Sequence, residues 1–172
     1  TCTACVAGKY KNAAGDAACS NCSAGQYSTT VGDTSDECQG CPTDSYAPEA
    51  SNTQTDCICN AGSTGPDGGN CVACTGGTYK VLSGSADCVT CPNNSDSLGG
   101  SVNVADCKCG SGWTGLDGGM CLQCAAGKYK TGMGPADCDD CPENSDSPVE
   151  STAWSNCTLN VSVSIQSVNK ML

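Results

Sequence analysis

The sequence predicts a small disulfide-rich fold, β-poor and loop-rich: an elongated rod of serial cystine-closed loops with short β-ribbons, ending in one β-strand. Three observations carry this expectation. Nineteen of 172 residues are cysteine, above the roughly 8–10% that marks a disulfide scaffold. The cysteines recur on a 50-residue period: Cys38, Cys88 and Cys138; Cys41, Cys91 and Cys141; Cys57, Cys107 and Cys157. Cys59 with Cys109, Cys71 with Cys121, and Cys74 with Cys124 keep the same offset, and self-similarity at a fixed period marks a repeat array. Finally, the chain has no Phe, two Trp and five Tyr against 22 Gly. Ordering a residue costs roughly 1–2 kcal/mol of backbone entropy. Without large side chains to offset that cost, crosslinks must stand in for a core.

Three kinds of loop alternate along the chain. The first reads C-x-x-G-x-Y and runs to a closing cysteine, at Cys5–Cys19, Cys22–Cys38, Cys74–Cys88 and Cys124–Cys138. Tyr10, Tyr27, Tyr79 and Tyr129 stand five residues after the opening cysteine, and are expected to cover a disulfide as each module's miniature core. Gly8, Gly25, Gly77 and Gly127 suit a tight turn with positive φ. The second kind begins C-P and is rich in Asn, Ser and Asp: Cys41–Cys57, Cys91–Cys107 and Cys141–Cys157. The third reads C-x-x-G-x-x-G-x-D-G-G-x-C, at Cys59–Cys71 and Cys109–Cys121. Its Asp67-Gly68 and Asp117-Gly118 are hairpin-turn dipeptides, so this loop is expected to be a two-stranded ribbon.

Spacing alone leaves connectivity open. Because each loop is bounded by its own two cysteines, nearest-neighbour pairing is favoured for all nine loops, and it leaves Cys2 for an upstream cysteine to complete. The resulting divisions are 1–21 and 124–157 as partial repeats, 22–73 and 74–123 as full repeats, and 158–172 as a β-strand tail or the start of a following domain. In that tail Leu159, Val161, Val163 and Ile165 alternate with polar residues, a half-buried strand pattern with no evident pairing partner in the repeats.

The paired C-x-x-C motifs also carry the spacing of zinc sites. The C-x-C pairs, the absence of His and the surplus of thiols argue against a metal. A redox C-x-x-C would need a thioredoxin-like setting, and no helical periodicity is present. Without His for proton transfer, and with carboxylates scattered on Gly-rich loops, neither catalytic residues nor a cofactor is expected. The lone Asp of each ribbon is too few oxygens for calcium. A net charge of −11 with seven Lys+Arg argues against nucleic acid, and no apolar run is long enough for membrane insertion.

The framework is stable only in an oxidising compartment, so the expected location is extracellular, secreted or at the cell surface. Four N-x-[ST] sequons, at Asn21, Asn93, Asn156 and Asn160, are then candidate glycan acceptors.

The order C-x-x-C-x-x-G-x-Y, C-x-x-C-P-x-N-S-x-S and D-C-x-C-x-x-G, quoted from Cys71 to Gly112 and its copies, resembles the cysteine-rich repeats of ephrin-receptor ectodomains. Those are cousins of tumour-necrosis-factor-receptor and EGF-like modules. The resemblance implies an elongated extracellular rod and no single function, since such repeats serve receptors, adhesion proteins and surface fibres. The G-x-D-G-G-x-C ribbon is more similar to large surface proteins of protists and algae. The expected role is therefore structural: a glycosylated rod segment of a filament, surface hair or coat, such as the tubular hair of an algal flagellum (a mastigoneme). It would self-associate through Leu159, Val161, Val163 and Ile165, or join a following domain there. The alternative is a receptor or adhesion ectodomain whose repeats bind a protein ligand.

Overall fold

A computed structural model describes residues 3–13 and 15–160. They form two compact units. The first takes in the described residues up to Cys91 together with Asp96–Cys107, and the second Pro92–Ser95 together with the described residues from Lys108 on. Among the described residues the regular structure is nine two-stranded sheets and three single-turn 3-10 helices, and no helix there is long and apolar enough to cross a membrane.

The three sequence types of loop share one plan. Three residues after its opening cysteine each loop turns through positive φ, at Gly8, Gly25, Asp44, Gly62, Gly77, Asn94, Gly112, Gly127 and Asn144. Glycine enters that region without a Cβ penalty, and Asn or Asp with a small one, which is why N-S and D-S in the C-P loops replace the glycine elsewhere. The next two residues form a strand that pairs antiparallel with the two residues beyond the closing cysteine. In the first unit Lys9–Tyr10 pairs with Ser20–Asn21, Gln26–Tyr27 with Gln39–Gly40, Ser45–Tyr46 with Ile58–Cys59, Ser63–Thr64 with Val72–Ala73, and Thr78–Tyr79 with Val89–Thr90. In the second Trp113–Thr114 pairs with Leu122–Gln123, Lys128–Tyr129 with Asp139–Asp140, and Ser145–Asp146 with Thr158–Leu159.

The ribbon is thus general rather than confined to the third loop type. In that type the Asp-Gly dipeptide does not form a tight two-residue hairpin, because residues 65–71 separate the two strands. Gly68 is drawn instead to the preceding loop. Its N–H donates to the Cys57 carbonyl at 2.7 Å, and its carbonyl accepts from the Gln54 side-chain amide at 2.7 Å.

Successive loops stack through a repeated set of backbone hydrogen bonds. The Gly8 N–H donates to the Ser28 carbonyl at 2.8 Å, and the Gly8 carbonyl accepts from the Cys22 N–H at 2.9 Å. The Gly32 N–H returns to the Cys5 carbonyl at 2.7 Å. The same three bonds recur between the loops opened by Cys59 and Cys74, where Gly62 meets Lys80 and Cys74, and Gly84 meets Cys59. They recur in the second unit, where Gly112 meets Lys130 and Cys124, and Gly134 meets Cys109. Tyr27 and Ser51, Tyr79 and Ser101, and Tyr129 and Ser151 form parallel bridges from one loop to the next, as Tyr10 does with Asp33.

The core is made of sulfur. Among the described residues, every buried apolar side chain except Tyr27 and Ala47 is a half-cystine. Tyr27 packs with Ala47 and Cys57 against Cys41, so this tyrosine covers the Cys41–Cys57 bridge. Tyr10, Tyr79 and Tyr129 are only half-buried and belong to no such cluster among the described residues. The difference lies in the neighbour: Ala47, fully buried beside Tyr27, has Ser97 and Ser147 as its counterparts 50 and 100 residues on.

Candidate functional site

Eighteen cysteines close nine bridges in series: Cys5–Cys19, Cys22–Cys38, Cys41–Cys57, Cys59–Cys71, Cys74–Cys88, Cys91–Cys107, Cys109–Cys121, Cys124–Cys138 and Cys141–Cys157. Their Cα–Cα distances run from 5.5 to 5.8 Å, the ordinary span of a disulfide. Consecutive bridges are separated by one or two residues, and the second strand of each ribbon begins directly after its closing cysteine. Crosslink and hydrogen-bonded joint therefore coincide at every step. A bridge closing a loop of about 15 residues contributes roughly 3 kcal/mol in the chain-entropy treatment, which is what a chain with so little apolar burial needs.

Two lysines that the sequence reading passed over complete these joints. Lys80 and Lys130 follow the loop tyrosine directly and are almost wholly buried, with 4% and 3% of their surface exposed. The Lys80 ammonium donates to the carbonyls of Ser63, at 2.7 Å, and Gly84. The Lys130 ammonium donates to the carbonyls of Trp113, at 2.6 Å, and Gly134. Burial lowers the Lys130 pKa, partly offset by the carboxylates of Asp117 and Asp137. The Y-K dipeptide, repeated at Tyr10-Lys11, Tyr79-Lys80 and Tyr129-Lys130, was the available signal. A lysine beside a small core reads as solvent-exposed unless the carbonyls it meets are known.

In each 3-10 turn the last side chain accepts from the two backbone N–H groups that precede the turn. The Asp56 carboxylate accepts from the N–H groups of Asn52 at 2.8 Å and Thr53 at 3.0 Å, and these bonds lower its pKa. Asp106 does the same for Val102 and Asn103. In the last loop Asn156 takes this place, its amide oxygen accepting from Thr152 at 3.2 Å and Ala153 at 2.9 Å.

All four sequon asparagines are exposed. Asn21 lies in the strand Ser20–Asn21 with fully buried Cys22 as the middle residue of its sequon. Asn93 lies just before the positive-φ turn at Asn94. Asn156 is engaged as a cap, and Asn160 donates its backbone N–H to the Asn144 carbonyl at 2.7 Å. Leu159 is 72% exposed and sits opposite Ser145 in the last ribbon, so it has a strand partner within its own repeat. Val161, Val163 and Ile165 lie outside the described residues.

A chain of serial disulfide-closed loops, each ribbon-jointed to the next and nearly free of helix, is a cysteine-rich repeat module of the extracellular kind. Two stretches of it, residues 1–37 and 62–107, match the family model described as "Tyrosine-protein kinase ephrin type A/B receptor-like". No curated protein matches the chain.

Proposed function

We propose that the chain is a structural segment of an extracellular filament, surface hair or coat. The observation that carries this reading is the recurrence of the joints. Within each unit every joint has a disulfide and a two-residue ribbon, and wherever two residues separate consecutive bridges the same three backbone bonds recur, so the repeat is built as a continuous mechanical series. Exposed sequon asparagines at Asn21, Asn93 and Asn160 support glycan decoration that keeps such a polymer soluble. The tail from Leu159 to Ile165 is assigned to contact with a following domain or a neighbouring copy, since an apolar strand edge is a template for pairing. The reading gives the chain no catalytic role, in keeping with the lack of His and the exposure of most carboxylates.

Electron microscopy of the native material tests it: long regular fibres are expected, and isolated particles would overturn it. Replacing Val161 and Val163 with Asp should block assembly while leaving the nine bridges intact.

One observation favours the receptor or adhesion reading. Leu116 and Met120 in the ribbon loop Cys109–Cys121 are each 80% exposed, whereas Pro66 and Asn70 hold those places in the earlier copy. An apolar pair confined to one repeat is a local break of the sort a protein ligand would use. Loss of ligand capture on changing both to Ser, with fibres absent, would favour this second reading.

A further inference from the structure

The first loop, Cys5–Cys19, has the same plan as Cys74–Cys88 and Cys124–Cys138, but its preceding face is open. In the two later loops five groups are satisfied by the ribbon loop just before. The Lys80 carbonyl accepts from Gly62 at 2.9 Å, the Gly84 N–H donates to Cys59 at 2.8 Å, and the Cys74 N–H donates to Gly62 at 2.8 Å. The Lys80 ammonium reaches Ser63, and the Ala86 carbonyl accepts from the Thr64 hydroxyl at 3.0 Å. Lys130, Gly134, Cys124 and Ala136 repeat all five with Cys109–Cys121, through Gly112, Cys109, Trp113 and Thr114.

The matching groups of the first loop are the Lys11 carbonyl, the Gly15 N–H, the Cys5 N–H, the Lys11 ammonium and the Ala17 carbonyl. Among the described residues the Lys11 ammonium bonds the Gly15 carbonyl, as Lys80 bonds Gly84. The other four groups, and the remaining donors of that ammonium, have no partner there. Two adjoining hollows open over this face and share walls of Thr3, Ala4, Cys5, Lys11 and Gly15. Lys11 is correspondingly half-exposed where Lys80 and Lys130 are buried.

We infer that this face is a docking site for one further ribbon loop of the C-x-x-G-x-x-G-x-D-G-G-x-C type, closed at Cys2. Cys2 stands three residues before Cys5, as Cys71 does before Cys74 and Cys121 before Cys124. A second copy of this chain does not supply the occupant, because its own ribbon loops, Cys59–Cys71 and Cys109–Cys121, are already seated on the loops that follow them. The complementarity is polar: a positive-φ glycine offering its N–H and carbonyl, a carbonyl for the ammonium, and a threonine hydroxyl.

The test fuses the segment of residues 59–70, C-N-A-G-S-T-G-P-D-G-G-N, ahead of Cys2 in place of Thr1, in the otherwise complete chain. Non-reducing peptide mapping, limited acetylation of lysines and amide exchange are then compared with the unfused chain and with a fusion whose residues between the cysteines are scrambled. The added cysteine should pair with Cys2, and Lys11 acetylation and Gly15 amide exchange should each slow by about tenfold or more, with Lys80 and Lys130 protected throughout as an internal check of folding. The scrambled fusion should leave Lys11 reactive. The inference fails if Cys2 does not pair, if it pairs and Lys11 stays as reactive as before, or if the unfused chain protects Lys11 in a concentration-dependent way, which would identify a second copy as the occupant.

Discussion

Lys80 sends its ammonium seventeen residues back along the chain to the carbonyl of Ser63, at 2.7 Å, with 4% of its surface exposed. In a protein whose core is sulfur, the longest side chain at the joint is a cation used as a hydrogen-bond donor. It satisfies carbonyls of two loops at once, which no apolar residue of that size could do.

Replacing Lys80 or Lys130 with Met should therefore destabilise the joint although it removes a buried charge. Leaving a buried carbonyl unpaired costs about 1–3 kcal/mol. The amide of Gly84, or of Gly134 for the second variant, should exchange about tenfold faster or more, with all nine bridges still recovered by peptide mapping. Unchanged exchange would show that water takes the ammonium's place without loss.

Lys130 also carries a pH signature. Its folded pKa is lowered by burial, so between that lowered value and the ordinary lysine value the unfolded chain holds a proton that the folded chain has released. Stability contributed by this group should rise with pH across that window, and its charged form is disfavoured below it. Denaturant midpoints measured up to pH 10.5 should show a positive slope relative to Lys130→Met. An identical slope in the two proteins would dismiss the assignment.

Asp56 runs the opposite way on the acid side. Its pKa is lowered by the N–H groups of Thr53 and Asn52, so its contribution is present above the ordinary carboxylate value and is lost as pH falls through the lowered one. Amide exchange at Asn52 and Thr53 should accelerate on acidification beyond the intrinsic trend. Asp56→Asn should abolish that extra acceleration while keeping the turn, since Asn156 already holds the equivalent turn with a neutral amide.

The glycine turns give a steric prediction. A Cβ on Gly62, where φ is +78°, would sit 2.4 Å from the Gly100 carbonyl oxygen. Gly62→Ala combines left-handed strain with a backbone clash and should cost more than the 1–2 kcal/mol or so of strain alone. Ala50 and Glu150, at φ of 59° and 61°, occupy the place that Gly100 holds at 77°. Ala50→Gly and Glu150→Gly should each stabilise by about 0.5–1 kcal/mol, read as raised denaturant midpoints.

Much of this architecture is legible in the sequence. The 50-residue register and the scarcity of aromatic residues led to serial cystine-closed loops with short ribbons, because cysteine spacing is a covalent constraint that survives any choice of local conformation. What stayed hidden was the unity of the loops. Gly77, Asn94 and Gly112 stand in loops of three different sequence types and share one positive-φ turn, so three patterns conceal one plan. The burial of Lys80 was equally invisible, since it depends on carbonyls supplied by a neighbouring loop. The uneven roles of the tyrosines turn on Ala47, a single methyl-bearing neighbour that only Tyr27 has.

The serial bridges fix how far this polypeptide could be drawn out. A pulling force on Cys5 and Cys157 travels through sulfur and the short connecting peptides, bypassing the interior of every loop. Taking the Cα spans of the bridges at 5.5 to 5.8 Å and about 3.5 Å for each remaining peptide step, that path is taut at about 130 Å. The same stretch, once reduced, would pay out to about 530 Å. An oxidised chain is thus a tether with a hard stop at about a quarter of its contour length. Redox state, rather than folding energy, would decide whether it transmits a load or yields to it.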